Sequence, residues 1–305
     1  MPFVTDSSKM KFFLFTLLLF CAISVYGQRS ASLNKGQKDS IQLKEDTLSL
    51  LARGFFVSEL QDDRLYACRQ FIPALVRTLK VTNSFQYSFP RLENISITYA
   101  PDSSFRIFTW QLKVDDGDYR YYGALQWNQP SIKLIPLLDR SGTINSLTPG
   151  LTADNWYGVV YYAIKSFKSN KSDAYLLFGY DSYSPDESRK IIDVLYFDKG
   201  KPYFGKPVFV FDKGPAKSRI IYQYKKDAAI RVNYDEDEKM IICDHLIENS
   251  AALDGQTKVM VPDGSYEGFK LNKDKWVYVE NVFPSNSPEN QRALRTKPKV
   301  VIEKK

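Results

Sequence analysis

The sequence predicts a mainly β fold, an antiparallel meander preceded by a short α-helical N-terminal segment. Three observations carry this. From Ile95 onward, short runs rich in Val, Ile, Tyr and Phe alternate with Gly, Pro, Asp and Lys punctuation. The intervals between runs hold no helical pattern, so the long crossovers that parallel strands need are missing. Before Lys80, in contrast, apolar residues recur at helical spacing. A curled barrel, a sandwich and propeller-like four-stranded units all satisfy such a meander.

Residues 28–46 are polar and read as a loose lead-in. Asp46 then caps a helix carrying Leu48, Leu51 and Phe55 on one side. Ser58 and Gln61 have capping-box spacing for a second helix, which places Leu65, Cys68, Ile72, Leu75 and Leu79 together. Pro73 inside that pattern predicts a kink or a restart. Strands follow at ISITYA, FRIFTWQL, YRYYGALQW and SIKLIPLL, then at WYGVVYYAI, AYLLFGY, KIIDVLYF and PVFVF, and finally at RIIYQY, AIRVNY, KMIICDHL and KWVYVENV. They group in fours over 95–138, 156–211 and 218–280, without a repeat signature. The resulting organisation is a leader at 1–27, a helical segment at 28–82, a β domain at 83–283 and a disordered basic tail at 284–305.

Within the β domain, Asp116-Gly117 is a two-residue hairpin turn signal. If these two form the loop, Val114 faces Tyr119, Leu112 faces Tyr121, Trp110 faces Gly123 and Phe108 faces Leu125. The opposite side pairs Lys113 with Arg120, Gln111 with Tyr122 and Ile107 with Gln126. One face is then continuously apolar, which makes the aromatics of this hairpin core rather than a ligand platform.

Lys9 and Lys11 precede the apolar run FFLFTLLLFCAISV, and Val25 and Gly27 occupy small-residue positions. That is the pattern of a secretory leader cut after Gly27, with Met10 as an alternative start. The run is shorter than the roughly 20 residues that span a bilayer. Cys21 follows Leu19 and Phe20, not the small residue that precedes a lipid-attachment cysteine. The protein is therefore expected to be exported to the periplasm or the cell surface, with no transmembrane segment in the mature chain. Apart from the basic tail, its formal charge of +7 is spread along the chain rather than clustered, which argues against a nucleic-acid partner. Cys68 and Cys243 remain after the leader is removed, either as a disulfide that export permits or as two buried thiols.

The runs CRQFIPALVRTLK, SFQYSFPRLENISITYAPDSSFRIFTWQL, NWYGVVYYAI and PDGSYEGFKLNKDKW resemble a group of uncharacterised exported proteins from Bacteroidota. The resemblance covers most of the mature chain. It implies an exported, Gram-negative setting and a single unit of helices plus sheet. No activity and no functional residue follows from it.

His245 is the only histidine, which excludes sites built on several histidines and leaves a structural role at a strand end as the expectation. The stretch GKPYFGKP, residues 200–207, ends in Pro207 where a phosphate-binding loop needs a hydroxyl, and strands flank it; it reads as a turn with a Pro-interrupted edge strand. VDDGD and YDEDEK read as hairpin tips rather than calcium loops. Asp193 in KIIDVLYF and Asp244 in MIICDHL interrupt apolar strands. Each is either a hydrogen-bonded structural acid or half of a carboxylate pair for glycoside hydrolysis. Trp156 and Tyr157 follow SGTINSLTPGLTADN, the longest polar interruption of the sheet. Strand geometry would point them to opposite faces, leaving one to contact a ligand. No cofactor is expected. The composition favours a non-enzymatic exported binding or cell-envelope protein whose partner is an envelope component or a glycan. The alternative is a secreted or periplasmic glycan hydrolase built on carboxylates.

Overall fold

The computed structural model of the protein describes residues 31–249 and 259–283. The expected leader and basic tail lie outside these residues.

Helix α1 runs over Lys35–Val57, so most of the stretch expected to be a loose lead-in is helix. Asn34 caps it: its side chain accepts from the Gln37 amide at 2.9 Å, and the Gln37 side chain accepts from the Asn34 amide at 3.0 Å. The inward-facing row of the first turns is Ile41, Glu45 and Leu48. Its central charge hides the apolar periodicity, yet Glu45 is fully buried because it accepts from the Tyr87 hydroxyl at 2.6 Å and the Arg91 amide at 2.8 Å. Helix α2 (Gln61–Leu79) starts after Leu60 with no side-chain cap, so the Ser58–Gln61 box does not form and Ser58 instead ends α1. The helix continues through Pro73, whose ring is exposed, while Cys68, Phe71, Leu75 and Leu79 are buried.

The first sheet is the meander β1 (Ser96–Tyr99), β2 (Phe105–Asp115), β3 (Asp118–Trp127) and β4 (Leu134–Leu138), matching the first expected group. The β2–β3 register differs from the expected one. Asp115 does face Asp118, but a bulge follows, and Lys113 pairs with Tyr119, Trp110 with Tyr122 and Ile107 with Leu125. The extra residue, Val114, shifts every later pair by one. The bulge turns the Lys113 and Val114 carbonyls toward Arg64 of α2, whose guanidinium donates to them at 2.8 and 3.1 Å and to Ser58 and Glu59 carbonyls at the end of α1. Lys113 pairs with Asp116 at 2.6 Å. Because the helices cover one face of β2 and the second sheet the other, it is buried on both faces from Phe105 to Trp110, where one-sided burial was expected.

The second sheet has the order β5 (Leu151–Thr152), β9 (Lys201–Phe204), β8 (Glu187–Asp198), β7 (Ser172–Asp181) and β6 (Val160–Ser169). Strand β11 (Ile220–Lys225) joins it beside the first half of β8, while β9 pairs with the second half. Thus GKPYFGKP contributes an inner strand, β9, between β8 and β5. The third sheet has the order β10 (Phe209–Val210), β15 (Lys275–Val279), β14 (Met260–Asn272), β13 (Met240–Glu248) and β12 (Val232–Asp235), with β10 and β15 parallel. The sheets stay open; no barrel closes.

Four layers result. The helices pack on sheet one through Phe71, Leu75, Phe108 and Trp110. The other face of sheet one meets sheet two through Phe105, Ile107, Tyr161 and Leu177. Sheet two meets sheet three through Phe178, Ile192, Ile241 and Trp276. Arg106, on β2, is fully buried without an acid: it donates to Gln126, to the Tyr99 hydroxyl and to the Ser84 and Tyr87 carbonyls, with the rings of Phe89 and Phe108 5.1 and 4.7 Å away. It ties residues 84–99 to the sheet.

Candidate functional site

Where β3 begins and β4 ends beside the β7–β8 turn, an open groove of about 640 Å³ forms between the first two sheets. Tyr121 organises its floor. The Tyr121 amide donates to Asp139 at 3.0 Å and the Tyr121 hydroxyl donates to Asp181 at 2.7 Å, so one residue links the acid after β4 to the acid ending β7. Asp139 also accepts from the amide and hydroxyl of Ser141 at 2.9 and 2.7 Å. Asp181 accepts in addition from the Tyr183 amide at 2.8 Å and, more weakly, from the Tyr157 hydroxyl at 3.4 Å. Burial pushes the Asp181 carboxyl up, outweighing its hydrogen bonds from Tyr121 and Tyr183. Burial, reinforced by the Asp181 charge, raises the Tyr157 hydroxyl to about 12 despite the nearby Arg189.

Gly158 makes this floor possible. A Cβ there would lie 2.4 Å from the Asp139 carboxyl carbon and 2.6 Å from Tyr121 Cβ. At the rim, Gly117 of the β2–β3 turn (φ +78°) packs so close to Pro185 that a Cβ would approach the ring to 2.6 Å.

The wall facing solvent is Tyr183 and Arg189. Tyr183 sits in the left-handed region at φ 50°, a costly conformation for a bulky side chain, and remains 39% exposed. The Arg189 guanidinium lies over its ring, 3.2 Å from the centroid. Sheet pairing sets this arrangement: Arg189 on β8 stands opposite Asp181 on β7 and Gln223 on β11. Its Nε donates to Gln223 at 2.9 Å and its Nη1 to the Tyr157 hydroxyl at 3.1 Å.

The chain matches no protein-family model, no curated protein and no solved structure. The site is therefore read from its own residues.

Trp156 and Tyr157 do not occupy opposite faces. The chain passes between the first two sheets after a 3-10 turn at Ala153–Asn155 and becomes regular strand only at Val160, so both rings join the same core. Trp156 is fully buried, with its indole N–H donating to the Tyr161 hydroxyl at 2.9 Å, and offers no surface to a ligand. Tyr157 is buried too, but it lines the groove and fixes Arg189. Sequence reasoning named Trp156 and Tyr157 after the loop at 141–155 and did not name Tyr183, Arg189, Asp139 or Asp181, which line the groove. The signal available was the aromatic-acid cluster GYDSYSPDE after an apolar strand.

Asp193 and Asp244 lie in different sheets and do not converge. Asp193 forms an ion pair with Arg219 at 2.8 Å, both side chains fully buried, and accepts from the Val194 amide at 2.8 Å. Asp244 accepts from the Arg231 amide at 2.5 Å, beside a bulge in β13. His245 is partly exposed, its Nδ1 2.9 Å from Asp263. Cys68 and Cys243 are free thiols buried in different cores, and burial raises both. VDDGD and YDEDEK both form hairpin tips; in the latter, Asp235 accepts from the amides of Asp237 and Glu238.

Proposed function

We propose that this is an exported, non-enzymatic binding protein of the cell envelope that takes a sugar in the groove beside Tyr183. The export half of the reading rests on the basic-apolar-small pattern of residues 9–27. The binding half rests on one observation: Tyr183 holds a strained backbone conformation and still presents its ring to solvent at the mouth of the groove. Bulky residues persist in such conformations where the surroundings over-determine them, and these places cluster at ligand sites. Arg189 covers one face of that ring, and the part left exposed among polar groups is a contact surface for a pyranose ring.

The two acids of the floor weigh against hydrolysis. A general acid or base needs a carboxylate oxygen within reach of the substrate. Asp139 and Asp181 each spend both oxygens on donors within the protein, and Asp181 is buried. Both line the groove, but their oxygens are already taken up in fastening its floor.

Isothermal titration against a panel of envelope and plant oligosaccharides tests this. Binding without product is expected, weakened at least about tenfold by Tyr183→Ala. Product release that disappears in Asp139→Asn or Asp181→Asn would instead establish the hydrolase.

A further inference from the structure

We infer that the groove selects acidic sugars, and that the Arg189 guanidinium, which covers one face of the Tyr183 ring, receives the carboxylate of a uronic-acid residue bound beside it. This deepens the sugar-binding reading and rests on it.

Three arginines line the groove: Arg120, Arg140 and Arg189. None lies within salt-bridge distance of an acid among the described residues. The groove's acids do not offset them equally. Asp139 and Asp181 are bound up in the floor, and Asp118 stands exposed on the hairpin tip. The groove's arginines and acids are equal in number, but the acid oxygens of the floor are spent on hydrogen bonds while Arg189 keeps donors unused.

Arg189 is the one arginine held in place. Gln223 and Tyr157 fix two of its five N–H donors, and both partners are neutral acceptors. The Tyr183 ring fixes the guanidinium plane. Both Nη2 donors and one Nη1 donor remain for a ligand, in the fork that matches the two oxygens of a carboxylate. The guanidinium is thus oriented before the ligand arrives, and little side-chain freedom is lost on binding. Arg120 and Arg140 are exposed and lack such bracing, so they add attraction rather than geometry.

The contrast with a neutral sugar follows from the same geometry. A hydroxyl can accept one of these bonds but cannot occupy the fork. Hydrogen bonds to a charged group are about twice as strong as neutral ones.

The experiment is a titration of the full mature chain with tri-galacturonic acid, a neutral trisaccharide and inorganic sulfate. The variants are Arg189→Gln, Arg189→Lys and Tyr183→Ala, with thermal unfolding to confirm that each folds. The acidic trisaccharide should bind at least about tenfold tighter than the neutral one. Arg189→Gln should weaken the acidic sugar by a much larger factor than the neutral one and so erase that ratio, and Arg189→Lys should restore only part of it. Tyr183→Ala should weaken both sugars. A merely structural Arg189 would weaken both sugars equally, which overturns the inference. Equal affinity of wild type for the two sugars, with Tyr183→Ala still harmful, overturns acid selection and leaves sugar binding standing. Sulfate competing as well as the acidic sugar reduces the site to a simple anion site and also overturns it. If neither sugar binds, both readings fall.

Discussion

Asp193 and Asp244 read alike in the sequence, each an acid interrupting an apolar strand, but their surroundings give them different weights. Asp193 faces a guanidinium with no water on either side, and Arg219 also donates to the Ser146 carbonyl and lies 5.3 Å from the Tyr157 ring centroid. Removing one partner strands the other charge. Asp193→Asn is therefore expected to cost about 3–5 kcal/mol. Asp244 answers a backbone amide near the edge of the third sheet and is 8% exposed, so Asp244→Asn should cost about 1–3 kcal/mol. Urea unfolding of the two variants checks both; the ordering Asp193 above Asp244 is the discriminating result. The ion pair was not legible beforehand, because Arg219 opens a run that reads simply as the start of a strand.

At the scale of elements, Trp110 is the joint between the helix pair and the sheets. Its ring meets Phe71 of α2 edge-on at 5.2 Å and stacks on Tyr122 of β3 at 5.6 Å. Trp110→Ala should cost about 3–5 kcal/mol in chemical denaturation, since the side chain is 3% exposed and the hole would open between two layers. That these aromatics are core was legible from the alternation in FRIFTWQL. The partner of Trp110 was not, because the Val114 bulge depends on Arg64, fifty residues earlier in the chain. The same limit explains α1 and β14. The start of α1 is hidden by Glu45, a charge whose partners come from residues 87–91. Strand β14 contains PDGSYEGF, which reads as a turn; Pro262 and Tyr266 pair with β13 on either side of an irregular stretch at Asp263–Ser265, where Gly264 has φ +91°, and β15 pairs only from Gly268 onward.

Across the whole molecule, sequence grouping succeeded where neighbours in the chain are neighbours in space, as in sheet one, and failed where strands change sheets. Strand β10 leaves for sheet three, β11 returns to sheet two, and β12 departs again. The groove was illegible for the same reason: its working residues come from β3, the segment after β4, and the β7–β8 turn. The exchange of strands makes a measurable prediction. The link at 212–217 is almost wholly exposed, so limited proteolysis should nick the chain there. The two fragments should stay together on size exclusion, because each half then holds a strand that the other half's sheet requires. Separation of the fragments without denaturant would contradict the pairing of β11 with β8.

The strands traded between sheets two and three also set what kinds of change the protein can tolerate over generations. Such a chain cannot lengthen or shorten by gaining or losing a whole unit, since no sheet from β5 onward is encoded by one uninterrupted stretch. Variation is directed instead to the connections, and two of these, after β4 and between β7 and β8, form the rim of the groove. Insertions there leave the layers untouched while reshaping the groove, so its outline can drift on a scaffold whose architecture is fixed.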